Sequence, residues 1–404
     1  MIAGSKTNSM PTVLVSCGEP SGDLYAAALV RELRALVPGL QAVGFGGERL
    51  RAAGAELVGD FRGIAVTGLV EALRVLPRSY AMYRRLVRAA RETRPDVLVL
   101  IDFPDFNFRL GAAVRALGIP VVYYIPPQLW AWRSGRMRTL RALSDRILVI
   151  FPFEPDIYRR SGTEASFVGH PLVELARAAQ PREVFLPSVG LDARRPTVAL
   201  LPGSRPNEVA QILPGMAAAA GIIAGGAPGV QFLLARAPNL PDDLFAPLAS
   251  ASVPIRAVEG HADEVLASCD VVVTASGTAT VQAAIHERPM VIVYRLEPLT
   301  YWLGRRFVHV DTFGMVNLVA GKKIVPELIQ EDFTPGAVAR ETLRLLAPGE
   351  ERDATVAALR EVRARLGGEG ATRRAAEAVL EVMNDRRQAA AGNLPRHSSF
   401  VPRP

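Results

Sequence analysis

An α/β fold of two Rossmann-like domains facing across a cleft, with helices at the C-terminal end, is the architecture this sequence predicts, and three observations predict it. First, apolar, β-branched runs pass without a spacer into Gly/Ser/Pro turns and then into helix-forming stretches, at 11–36, 97–117, 197–225 and 271–285; buried parallel strands joined by helices read this way. Second, the segment 177–196 has no sustained period and collects Pro, Arg and Gly, after which the strand, turn and helix pattern restarts. Third, 404 residues, 49% hydrophobic and 22% charged, exceed one typical domain and suffice for two cores. The expected division is a first domain at 11–176, a linker at 177–196, a second domain at 197–334 and helices at 335–383. A polar, Pro-containing tail at 384–404 is expected to be disordered.

The elements follow in order. A strand at 11–17 leads into Gly18-Glu19-Pro20-Ser21-Gly22-Asp23 and a helix at 24–36. A second strand at 42–45 ends in Gly44-Phe45-Gly46-Gly47, where a dinucleotide fingerprint would need Gly at the position of Arg49. A loop or short strand at 59–68 precedes an Arg-rich helix at 69–93. The buried strand 97–101 carries Asp102-Phe103-Pro104-Asp105-Phe106-Asn107 at its end, and in open α/β sheets the carboxyl ends of strands line the ligand crevice. A helix at 109–117, a strand at 121–125, the segment Trp130-Ala131-Trp132-Arg133, a strand at 146–150 and a helix from about 153 complete this half. The second half begins with a strand at 197–201 and Pro202-Gly203-Ser204-Arg205. It continues with a helix at 208–225, in which Gly221 and Gly225 mark close backbone approach, strands at 230–235 and 255–258 and a helix at 262–268. The stretch 271–294 is a strand, a turn, a helix ended by Arg288-Pro289 and a further strand. Ser276, Gly277 and Thr278 fall where that helix has unpaired N–H groups and the positive end of its dipole, which suits a phosphate. A loop is expected at 314–318.

A net charge of +7 and a pI near 9.8 favour an anionic partner: nucleic acid, an acidic membrane or a phosphorylated small substrate. No zinc-finger spacing, basic aromatic motif or Lys/Arg block supports nucleic acid. Cys17 and Cys269 read as buried thiols of a reducing compartment, and the first ten residues lack a signal-peptide core. The uncharged run 216–227 falls short of the roughly 20 apolar residues a membrane span needs. Five His without ligand spacing give no metal site, and His170 in Gly169-His170-Pro171 reads as a structural hydrogen-bonding residue. In 66–88, Val66, Leu69, Val70, Leu73 and Leu76 accompany Arg74, Arg78, Arg84, Arg85 and Arg88. That is the composition of an interfacial membrane helix or of an amphipathic helix packed on the sheet.

Taken together, the motifs at 18–23, 102–107, 130–133, 152–154, 167–171, 201–205 and 276–279 resemble those of the lipid-A-disaccharide synthase family, over roughly 12–382. The resemblance implies the two-domain glycosyltransferase fold called GT-B. It also implies transfer of 2,3-diacylglucosamine from its UDP derivative to 2,3-diacylglucosamine 1-phosphate, giving a β-1,6 disaccharide and UDP, with inversion and without metal or other cofactor. Pro20 stands in place of a usual Ala, Pro126-Pro127-Gln128 in place of a more usual Ser-Pro-Ser, and the basic tail is not a family feature. Gln282 stands where related GT-B enzymes commonly have a Glu that binds the ribose hydroxyls; its amide oxygen can accept the same bond without charge.

Departure of UDP leaves negative charge on the β-phosphate. Arg205 and the helix start at Ser276–Thr278 are suitable donors to it, and Gly203, Ser204, Gln282 and Asn317 complete the expected UDP set. An inverting transfer also needs a base for the acceptor hydroxyl. Asp102 is the first candidate, with Glu19, Asp105 and Asp23 as the others. Ser21, Gly22, Asp23, Trp132 and Arg133 are expected on the acceptor or lipid side; Trp130 and Trp132 either stack on a sugar or pack beneath the cleft. The expected location is the cytoplasmic surface of the inner membrane, and the resemblance implies dimers with exchanged C-terminal segments. The alternatives are a UDP-sugar 2-epimerase-like enzyme and a nucleotide-sugar-binding regulator, the latter disfavoured by the carboxylates at Asp102 and Asp105.

Overall fold

The computed structural model describes residues 10–61, 69–129, 134–238, 240–295 and 314–390. The chain forms two compact units, Met1–Gly169 with Gly370–Pro404, and His170–Glu369.

The first unit is built on a seven-stranded parallel sheet: β1 (Thr12–Cys17), β2 (Gln41–Gly46), β3 (Glu56–Asp60), β4 (Val97–Ile101), β5 (Val121–Tyr124), β6 (Arg146–Val149) and β7 (Ser166–Phe167), in the order β3-β2-β1-β4-β5-β6-β7. β1 and β4 are buried along their whole length, which is why β4 reads as an unbroken apolar run and β1 as one interrupted only by Ser16 after its opening Thr12, and they end in register, Cys17 opposite Ile101. The helix Leu69–Thr93 inserts Met82, Leu86 and Ala90 into the core, so its C-terminal half is an amphipathic helix packed on the sheet. The helix Ala371–Ala390 packs against Pro20–Leu36. Arg387 grips Asp96 with two hydrogen bonds of 3.0 and 2.9 Å, and Asp96 also accepts the Thr12 N–H at 2.9 Å. This last helix continues to Ala390, beyond residue 383 where the ordered chain was expected to stop.

The second unit has a six-stranded parallel sheet: β8 (Thr197–Leu201), β9 (Gln231–Arg236), β10 (Ile255–Glu259), β11 (Val271–Ala275), β12 (Met290–Tyr294) and β13 (Glu327–Ile329), in the order β10-β9-β8-β11-β12-β13. The helix Pro206–Gly226, whose one charged residue is Glu208, is long and apolar enough to cross a membrane, yet Val209, Ile212, Leu213, Met216 and Ile223 lie in this unit's core. A Cβ at Gly221 would lie 2.2 Å from Ser252 Oγ, a side chain rather than the backbone expected there, and a Cβ at Gly225 would meet nothing within 4 Å.

Three expectations need correction. The helices Pro20–Leu36, Pro104–Arg115 and Pro206–Gly226 start two to five residues earlier than the sequence suggested, because each Pro occupies the first helical turn, where its missing N–H costs nothing. The chain passes between units at Gly169–His170, and 177–196 belongs to the second unit with a helix at Arg182–Ser188. The segment 314–318 is not a loop but the start of the helix Met315–Ala320, which Gly321 closes in the left-handed region.

Candidate active site

In each sheet the strand order reverses once, between β1 and β4 in the first unit and between β8 and β11 in the second. Loops leaving neighbouring strands diverge at such a point and open a crevice at the strands' carboxyl ends. The motifs singled out above lie on these four loops: 18–23 after β1, 102–107 after β4, 202–205 after β8 and 276–278 after β11.

At the first reversal the backbone is strained. Asp102 and Phe103 are left-handed at φ 44° and 50°, and Ile125 at the end of β5 is left-handed at φ 58°. Each such non-Gly residue costs on the order of 1–3 kcal/mol and persists only where its surroundings hold it. Here they do. The Asp102 N–H donates to the Ile125 carbonyl at 3.0 Å, and the Asp102 carbonyl accepts from Asn107 Nδ2 at 2.7 Å and from the Tyr123 hydroxyl at 2.8 Å. Fully buried Asn107 accepts the Ser16 hydroxyl at 2.7 Å, tying the ends of β1 and β4 together. The Phe103 ring covers Gly18 so closely that a Cβ there would lie 2.2 Å from it. Phe103, not Asp102, occupies the N-cap position of the next helix. Burial, and then the Asp102 charge, push the phenols of Tyr25 and Tyr123 above their usual values.

The other carboxylates of this end differ in setting. Asp105 is exposed and paired with Arg136 at 2.5 Å. Glu19 holds the N-cap position of Pro20–Leu36, next to partly buried Ser21 and buried Gly22. Asp23, expected on the acceptor side, instead faces inward at 4% exposure and accepts the N–H groups of Gly47, Arg49 and Leu50 at 2.6, 3.0 and 3.1 Å. It caps the five-residue helix Glu48–Ala52, and hydrogen bonds to a charged acceptor contribute about 1.5–3 kcal/mol each. Trp130, Trp132, Arg133 and Val66 lie outside the described residues; Leu69 and Leu73 lie on a helix whose backbone alone is described at those positions.

At the second reversal, Arg205 is the N-cap residue of Pro206–Gly226 and its Nη1 donates to Glu208 Oε1 at 2.9 Å. Glu208 Oε2 also accepts the Ser204 N–H at 3.2 Å, and Gly203 turns at φ 123° against the Glu208 side chain. Glu208 stands three positions past the helix cap, where an acidic residue is a sequence signal for such a return contact. Tyr294, at the end of β12, has its phenol raised, first by burial and then by the Glu208 charge, against a smaller lowering by Arg205. Across the reversal, Gly277 caps the helix Thr278–Ile285 at φ 151°, and Ser276, Gly277 and Thr278 are partly or fully exposed. Gln282, one turn in, donates from Nε2 to Asp263 at 3.2 Å. Asn317 is a correction: it is 1% exposed, and its four hydrogen bonds, from Nδ2 to Val325 O and Glu327 and from the Ile324 and Val325 N–H groups to Oδ1, are all made within the protein. It orders 314–327, and its side-chain amide is fully used within the protein.

The family model described as lipid-A-disaccharide synthetase matches residues 13–382, which spans all four loops. The chain belongs to the lipid-A-disaccharide synthase family. Similar to it is the lipid-A-disaccharide synthase of Myxococcus xanthus, 44% identical over 374 residues, 92% of this chain and 98% of that one. Among solved structures, UDP-GlcNAc 2-epimerase from Neisseria meningitidis bound to UDP-GlcNAc aligns with TM-score 0.67 at 11% identity, over 92% of this chain and 100% of that one. The glycotransferase of kitacinnamycin aligns with TM-score 0.62 at 18% identity, over 93% and 100%. At those identities the likeness is one of fold, and the fold is the GT-B arrangement of two Rossmann-like domains. Lipid-A-disaccharide synthases are glycosyltransferases that use UDP-sugars, so the epimerase alternative has fold resemblance alone behind it.

In this lipid-A-disaccharide synthase relative, His170 has the structural role expected of it: it is 1% exposed and its Nδ1 accepts the Leu172 N–H at 3.2 Å. Burial lowers its pKa from 6.5 to about 3. Below pH 6.5 the unfolded chain binds a proton that the folded chain refuses until about pH 3. Stability from this residue is therefore complete above pH 6.5 and is lost as pH falls, at up to about 1.4 kcal/mol per unit. In denaturant titrations at pH 6.5 and 4.5, the wild type should lose about 2 kcal/mol more than His170→Asn, whose amide oxygen can accept the same turn bond. Equal losses would remove His170 from the acid response. Cys17 and Cys269 are free, buried thiols, both raised in pKa chiefly by burial.

Proposed function

We propose that the chain transfers 2,3-diacylglucosamine from UDP-2,3-diacylglucosamine to the 6-hydroxyl of 2,3-diacylglucosamine 1-phosphate, forming the β-1,6 disaccharide 1-phosphate and UDP. The match to the family along 13–382 carries this reading. The acceptor oxygen attacks the anomeric carbon from the face opposite UDP, the bond from that carbon to the β-phosphate oxygen breaks, and the configuration inverts. Charge grows on the departing phosphate, where Arg205, the Ser204 N–H and the helix start at 276–278 are the donors. The hydroxyl proton goes to a carboxylate of the first unit. Asp102 is the assigned base, because it is partly buried on a braced, strained turn beside the strand reversal; Glu19 and Asp105 follow. Purified protein given both lipids should release one UDP per disaccharide. Donor consumption without acceptor, or a UDP-sugar epimer as product, would overturn this reading.

The lipid substrates call for work at the cytoplasmic face of the inner membrane, and the helix Leu69–Thr93 is the contact we assign. Leu76 and Tyr80 on it are 51% and 60% exposed, beside exposed Arg78, Arg84, Arg85 and Arg88. Apolar groups that enter the headgroup boundary next to cations bind anionic bilayers. Val66→Ser, Leu69→Ser and Leu73→Ser combined should release the protein from anionic liposomes while leaving its melting temperature unchanged; retained binding, or unfolding, contradicts the assignment. A dimer with exchanged C-terminal segments completes the reading, and sedimentation at micromolar concentration tests it.

A further inference from the structure

Gln282 offers a neutral amide where a charged ribose acceptor is common, and the structure supplies a carboxylate immediately behind it. Asp263, in the first turn of the helix Ala262–Ser268, accepts the Gln282 Nε2–H at 3.2 Å with Oδ1. The same oxygen lies 3.1 Å from His286 Nε2, one turn further along the helix that bears Gln282. The three side chains are only partly exposed, His286 at 11% and Asp263 at 23%. Among the described residues Gln282 makes this one side-chain hydrogen bond. An amide whose nitrogen is held has one orientation left, and its oxygen is then the acceptor it can present to a ligand.

We infer that Asp263 is a positioning residue for nucleotide binding: it fixes the Gln282 amide with Oε1 toward the ribose hydroxyls of UDP, and His286 holds Asp263 in place. This rests on the reading of Gln282 as the ribose contact. The arrangement moves the negative charge one residue back from the hydroxyls instead of removing it. A hydrogen bond to a charged acceptor also polarises the amide, which makes Oε1 a better acceptor than that of a solvated Gln. It further explains why a Glu would fit poorly at this position alone, since its carboxylate would meet that of Asp263 at about hydrogen-bond distance.

The test compares UDP with 2′,3′-dideoxy-UDP, by calorimetry, on folded variants. Gln282→Ala should weaken UDP by about tenfold and leave the dideoxy analogue within about twofold, because a single hydrogen bond to ribose is removed. Asp263→Ala should reproduce most of that hydroxyl-dependent loss although it touches no ligand. Gln282→Glu alone should bind UDP worse than the wild type, and adding Asp263→Asn, whose amide can donate to the new carboxylate, should restore UDP affinity but not alter the dideoxy analogue. The swap pair keeps the test intact where Asp263→Ala does not fold. If Asp263→Ala weakens UDP and the dideoxy analogue equally, or neither, while Gln282→Ala shows the hydroxyl-dependent loss, the positioning role is overturned and the ribose contact stands. If Gln282→Ala shows no such loss, the ribose contact itself fails and the inference with it.

Discussion

Asp102→Asn is expected to fold and melt like the wild type and to turn over about 10² to 10⁴ times more slowly, the usual cost of losing a general base. The substitution is a clean probe for reasons specific to this turn. Asn is among the few residues that accept the left-handed backbone found here at φ 44°, so the strained turn is kept. The contacts that brace the turn, from Asn107 and Tyr123, go to the Asp102 backbone carbonyl rather than to its side chain. The N-cap position of the following helix belongs to Phe103, so helix capping is not at stake. A folded variant retaining more than about a tenth of the wild-type rate would rule out Asp102 and move the assignment to Glu19 or Asp105.

Arg205→Ala should weaken UDP by about 10- to 100-fold, which corresponds to the roughly 1.5–3 kcal/mol that hydrogen bonds to a charged group contribute. Arg205→Lys should recover only part of this, because an ammonium lacks the guanidinium's forked donors. Glu208 sets the terms of the exchange. It holds both Arg205 Nη1 and the Ser204 N–H, which are also the donors expected to receive the pyrophosphate, so nucleotide binding must compete with this carboxylate. Glu208→Gln should therefore leave UDP binding intact or stronger in the presence of Arg205. UDP affinity and kcat/KM unchanged in Arg205→Ala would remove the clamp from the account.

Much of the fold was legible because parallel strands buried on both faces leave a direct trace: β4 reads as one unbroken apolar run, and β8 and β11 as apolar runs with a single Thr each, all ending at a polar turn. Three of the four loops at the strand reversals were legible for a related reason. Gly18, Gly203 and Gly277 are needed where backbone approaches an aromatic ring or takes a positive φ, and such needs mark the sequence locally. What was missed depends on partners far away in sequence. Nothing near Asp23 announces that it caps a helix 24 or more residues later, and nothing near Asn317 announces that its amide is completed by 324–327. The left-handed turn at Asp102, Phe103 and Ile125 is equally invisible, because no residue type there prefers it strongly; Asn107 and Tyr123 impose it from outside. Asp263 escaped notice because it meets Gln282 only when two helices of the second unit are brought together.

The account assigns nucleotide recognition to the strand reversal of the second unit and deprotonation to that of the first. UDP dissociation constants of Asp102→Asn and Arg205→Ala, titrated side by side in one buffer, test that division most directly. The prediction is that Asp102→Asn binds UDP within about twofold of the wild type despite its lost turnover, while Arg205→Ala binds at least about tenfold more weakly. Equal loss of UDP in both variants, or loss confined to Asp102→Asn, would contradict it.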